Sequence, residues 1–173
     1  QHNRGQDGAG AAVIKLDPVP GTPFINRYRS VKQQPIVDIF DNVFSHFPKN
    51  RKPLDNPKAE SDWYKANVPV VGELLLGHLR YGTYGKNNDS YCHPFLRENN
   101  WMTRNLVVAG NFNMTNVDEL FDNLITLGQH PIERSDTITV MEKIGHFLDA
   151  EVQVIFDKYK DQGYSNKEIT DFI

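Results

Sequence analysis

Four short patches hold the side chains capable of chemistry: "QHNRGQDGAG" (1–10), "GHLRYGTYG" (77–85) with "CHPF" (92–95), "AGNFNMTN" (109–116) and "RSDT" (134–137). Taken singly, each has a plain structural reading: turn glycines, a strand-end Arg, an Asn-rich loop before a helix, and Ser135 or Asp136 capping a helix. Cys92 beside His93 invites a nucleophile, because a neighbouring imidazolium lowers a thiol pKa. Adjacent residues of an extended segment point to opposite sides, however, which weighs against that pair. No Cys and His spacing suggests zinc. His78 and His93 read as structural, and His146, on a long helical stretch, as solvated or packed.

These patches need elements to hold them. "AAVIKL" (11–16) is a short apolar run closed by Asp17-Pro18, the pattern of a buried strand ended by a turn. In "PIVDIFDNVFSHFP" the apolar residues Ile36, Ile39, Phe40, Val43, Phe44 and Phe47 recur every three to four positions, which predicts a helix stopped at Pro48. Residues 48–67 are polar and proline-punctuated, a surface excursion without sustained period. In "GELLLGHLRYGT" a strand would set Leu74, Leu76, His78 and Arg80 on one face and Leu75 and Leu79 on the other. "NLVVAGN" (105–111) predicts another strand, feeding a helix that starts at an Asn116/Glu119 capping box and ends at Gly128. Ile138, Met141, Ile144, Phe147, Leu148 and Val152 predict either one long helix ending at Gly163 or two broken near Gly145. Ser165 with Glu168 is a further capping box. Strands followed by helices in this order indicate an α+β layered domain.

A chain of 173 residues fits one domain. A net charge of -3 leaves no electrostatic footprint for nucleic acid or an anionic membrane surface. The single cysteine cannot form an internal disulfide, and no window approaches the roughly 20 apolar residues of a membrane span. The expected setting is the cytoplasm. The sequons at Asn88 and Asn113 read as chance matches.

Together and in this order, the four patches resemble the glutaminase domain of class II glutamine amidotransferases, the N-terminal-nucleophile hydrolases. The resemblance covers most of residues 1–150. That family carries Gln-His-Arg-Gly-Gln-Asp-Ser-Ala-Gly, then Gly-His-x-Arg-Tyr-x-Thr, then His-Asn-Gly-Asn-Leu-Thr-Asn, then Ser-Asp-Thr. It implies an α+β fold of four αββα layers, here lacking the first strand and helix, with 151–173 a helical connection toward a downstream acceptor domain. Gln6-Asp7 and Tyr81 look like the amidophosphoribosyltransferase branch of purine synthesis, whereas Cys92-His93-Pro94-Phe95 is closer to the hexosamine-forming type.

The activity so implied is glutamine hydrolysis through a cysteinyl thioester, with ammonia delivered to a phosphoribosyl acceptor. The alternatives are a hexosamine-forming enzyme or a catalytically silent domain used for sensing or assembly. In the family the nucleophile is an N-terminal cysteine whose own α-amine is the base; it is expected about two dozen residues before the first patch, outside this sequence. The resemblance gives Arg80 the α-carboxylate of glutamine and Asp136 its α-ammonium, with Thr83 and Arg4 also binding substrate. The side-chain amide of Asn111 and the backbone N–H of Phe112 become the oxyanion donors. Here Gly110 precedes Asn111 and an aromatic follows it, so an oxyanion turn of positive φ would strain Phe112. The implied partners are L-glutamine, an acceptor domain or subunit, and a second copy of the chain in a homo-oligomer. No cofactor is expected in this domain, with Mg confined to the acceptor domain.

Overall fold

The computed structural model describes residues 7–81 and 88–173. They form a mixed α+β protein of two compact units, Gln1–Pro94 and Phe95–Ile173. No helix among the described residues is long and apolar enough to cross a membrane.

The first unit is built on three antiparallel strands in the order β2-β1-β3: β1 (Gly8–Ile14), β2 (Ile25–Ser30) and β3 (Leu74–Arg80). The turn after β1 closes where Lys15 N–H donates to Phe24 O at 2.8 Å, and Asp17, just before Pro18, takes φ 48°. Register sorts the side chains, because directly opposed residues share a face. Ala9, Ala11 and Val13 lie opposite Leu79, Gly77 and Leu75. On this face helix α1 (Pro35–Ser45) packs against β1 and β2, with Pro35 starting its first turn and Ile39 buried. The other face carries Gly8, Gly10 and Ala12, set opposite Arg80, His78 and Leu76 on β3. Gly10 and Ala12 also face Arg29 and Arg27 on β2, an edge strand that no apolar run announces.

The stretch expected to be a plain surface excursion contains helix α2 (Pro57–Asn67), which buries none of its residues. Local chemistry holds it instead of an apolar stripe. Asn56 caps it, accepting from Lys58 N–H at 2.9 Å, and Pro57 supplies a preset φ at the first position. Arg51 lies 3.7 Å above the Trp63 ring and pairs with Glu60. At the far end the Lys15 ammonium, 5% exposed, donates to Lys65 O at 2.6 Å and Val68 O at 3.1 Å. A cation satisfying the last carbonyls of a helix also meets the negative end of its dipole.

The second unit holds a two-stranded antiparallel ribbon, β4 (Phe95–Arg97) with β5 (Leu106–Val108), and helices α3 (Val117–Thr126), α4 (Asp136–Asp161) and α5 (Asn166–Phe172). Its core is Phe95, Ile138 and Met141 with Leu106 and Val108 against them. α4 runs unbroken through Gly145, where the absent side chain admits the Arg97 guanidinium: a Cβ there would fall 2.6 Å from Arg97 Nε. Arg97 joins β4 to α4 through Asp149 at 2.5 Å and Glu142 at 3.3 Å. Gly128 and Gly163, both at positive φ, end α3 and α4 as expected, each followed by an N–H that returns to the helix's last turn. The Ser165–Glu168 capping box is formed, whereas Asn116 makes no side-chain cap for α3.

Candidate functional site

In the first unit the chemistry collects on the glycine face of the sheet. The strand "GAGAA" offers so little side chain that another segment can lie on it, and residues 88–94 do. A Cβ built on Gly10 would sit 1.8 Å from His93 O, and one on Gly8 would sit 2.7 Å from Cys92 Sγ. Across β1, Arg29 Nη1 donates to Ser90 O at 3.1 Å, and Arg27 Nη1 to Pro94 O at 3.4 Å. Two arginines on alternate residues of an edge strand thus hold the carbonyls of a segment more than 60 residues downstream. The His93–Pro94 peptide is cis.

Arg80 ends β3 opposite Gly8 and is 7% exposed. Its Nη1 donates to Asn88 O at 3.4 Å, and its guanidinium carbon lies 5.9 Å from the Tyr91 ring centre. Cys92 is fully buried, with Sγ 3.8 Å from Ser30 O. Burial pushes its thiol up, and the nearby Arg80 charge only partly opposes this. At neutral pH the sulfur is therefore a protonated, inaccessible thiol, the opposite of an activated nucleophile. His78 and His93 meet edge to face with ring centres 4.5 Å apart, and His93 Nδ1 lies 3.4 Å from His78 Nε2. Burial lowers both pKa values; for His93, His78 and Arg80 add to the effect and bring it to about 4.

In the second unit, Asp136 opens α4 and its Oδ2 accepts from Met114 N–H at 2.9 Å, while Ser135 caps the helix through Ile138 N–H. The carboxylate thereby ties the Asn-rich loop to the helix start, two patches 22 residues apart. Asn111 is exposed in that loop and Phe112 is half-buried. The Phe112 ring folds back over Gly110, where a Cβ would fall 2.6 Å from its Cζ, and this accounts for a glycine ahead of the Asn. Among the described residues only Asp17 takes a positive φ outside glycine, so Phe112 carries no left-handed strain.

Arg80 thus belongs to one unit, and Asn111, Phe112 and Asp136 to the other; Thr83 and Arg4 lie outside the described residues. Among the described residues no group of three or more His, Cys, Asp or Glu could hold a metal ion. Periodicity did not reveal the His78–His93 contact or the Arg27 and Arg29 clamps. The one available signal was the alternation of "INRYRS", whose arginines share a strand face. The chain matches no protein-family model, and neither the curated proteins nor the solved structures give a match.

Proposed function

We propose that this chain is the glutamine-recognition part of a class II glutamine amidotransferase of the amidophosphoribosyltransferase type. On this reading Arg80 binds the α-carboxylate and Asp136 the α-ammonium of glutamine, with Thr83 and Arg4 assisting. Asn111 and the Phe112 N–H stabilise the oxyanion as an N-terminal cysteine of the full protein attacks the carboxamide carbon. The cysteine's α-amine takes the thiol proton and passes it to the departing nitrogen, releasing ammonia; water then cleaves the thioester to glutamate. The four-layer αββα architecture belongs to the same proposal.

The supporting observation is the pairing of the four patches within the units. "GAG" (8–10) of the first patch and "HLR" (78–80) of the second, about 70 residues apart, lie side by side with Gly8 opposite Arg80, and "AGNFNMTN" is bonded to "RSDT" through Asp136. A buried guanidinium at the end of an apolar strand also suits a carboxylate ligand, which it can grip with two parallel hydrogen bonds.

The test is calorimetric titration of L-glutamine into the chain. The expected result is binding that Arg80→Lys weakens by about 1 to 3 kcal/mol, because a point charge replaces a bidentate fork. A folded chain that ignores L-glutamine, or binding indifferent to Arg80→Lys, would overturn the reading.

A further inference from the structure

We propose that the His78–His93 contact is an acid-operated latch: protonating the pair releases residues 88–94 from the glycine face of the sheet and uncovers Cys92. It stands independently of the proposed activity.

The geometry is that of a fastener. Residues 88–94 cross β1 by backbone contact, since Gly8 and Gly10 present no side chain to grip. Arg27 and Arg29 hold their carbonyls from β2. From β3 the link between rings is His78 to His93, with nitrogens 3.4 Å apart. A nitrogen–nitrogen contact of this kind needs one ring to present a lone pair, so it cannot survive with both rings protonated. The other ring nitrogen of His78, Nδ1, is buried without a hydrogen-bond partner, so no acceptor receives a proton added there.

The surrounding charge has the wrong sign for an imidazolium. The charged side chains around the segment are Arg80 on β3 and Arg27 and Arg29 on β2, with Asp89 in the segment and Asp38 of α1 lining one hollow with Arg27 and Arg29. Of these charges the Arg80 guanidinium acts on His93 and opposes its protonation.

Linkage fixes the direction. In the latched state His93 resists protonation down to about 4. Once released it takes a proton near its ordinary value of about 6.5. The released form therefore binds more protons between those limits, and its share grows roughly tenfold for each unit of falling pH from this one ring. His78, also lowered by burial, adds in the same direction. Above pH 6.5 this drive toward release is lost.

Cys92 is the sole cysteine and is buried between the latched segment and the sheet, so it reports opening without ambiguity. The experiment pulses the chain with 4,4′-dithiodipyridine, which stays thiol-reactive in acid, at several pH values. Each rate is divided by that of the urea-unfolded chain at the same pH, and far-UV circular dichroism follows the helices in parallel. The expected result is a relative labelling rate that rises at least tenfold between pH 6.5 and 5 with helicity unchanged. In His78→Gln/His93→Gln that rise is absent. A second readout needs no variant: the histidine ring proton resonances must titrate over the same pH span as the labelling. Protection equal at pH 6.5 and 5, a rise that persists in the double variant, helicity lost in step with labelling, or rings that titrate elsewhere would each overturn the latch.

Discussion

At the scale of single residues, the sharpest feature is the bed that Gly8 and Gly10 make for another segment. Adding one methyl at Gly10 drives a Cβ to 1.8 Å from a backbone oxygen, so β1 or residues 88–94 must move. Gly10→Ala is expected to cost about 2 to 3 kcal/mol in urea denaturation, the upper range for overpacking. Gly77→Ala is the control, because nothing lies within 4 Å of its Cβ position on the opposite face. Its midpoint should hold or rise slightly, as the unfolded chain loses freedom. Equal losses at both sites would mean that the close approach at Gly10 does not set the cost. Cys92 makes a second test. Buried and protonated, it cannot attack a carboxamide, so the 173-residue chain is expected to release no glutamate from glutamine. Glutamate release abolished by Cys92→Ser would show the thiol reaching substrate after all.

Among the elements, α2 shows how much a helix can borrow. It has no buried residue, and its C-terminal carbonyls are met by the ammonium of Lys15, just past β1 and some 50 residues earlier. Lys15→Met keeps the apolar stem and removes the donor, leaving two carbonyls without it. The expected loss is about 1 to 3 kcal/mol, with hydrogen exchange accelerated in the last turn of α2 before that of the sheet. Uniform acceleration would mean that Lys15 supports the sheet core instead. This dependence explains why the helix was illegible in the sequence: its signal is an Asn-Pro start and scattered charge, without the apolar period that made α1, α3 and α4 readable. β2 was hidden for a related reason, since a polar strand at a sheet edge buries little and repeats only its arginines. In the site, the parity of "LLLGHLR" correctly grouped His78 with Arg80. Their meeting with His93 and Cys92 depends on residues 88–94 lying across the sheet and on the smallness of β1, which no local period encodes.

For the molecule as a whole, the exposed apolar surface is uneven. α1 leans on β1 and β2, so a groove of about 410 Å3 remains between it and β3, with Leu75 76% exposed. Apolar side chains on an outer strand invite contact between copies, and a charge is the usual remedy. Leu75→Lys is expected to raise the concentration at which the chain precipitates while shifting its unfolding free energy by less than about 0.5 kcal/mol. A large stability loss would show Leu75 to be core, contrary to its exposure.

The order of the sheet has a consequence for synthesis on the ribosome, where the chain emerges from one end. β1 and β2 can close as a hairpin as soon as both have left the exit tunnel, yet β1 also waits for β3, which begins 60 residues after the last residue of β1 pairs with it. Until then one side of the hairpin keeps unpaired backbone groups, Lys15 has no helix to cap, and the glycine face has nothing lying on it. Nascent chains whose emerged part ends just before Leu74 should therefore be the most prone to associate with one another and the most easily cut by protease, and chains that have emerged as far as Pro94 the first to resist.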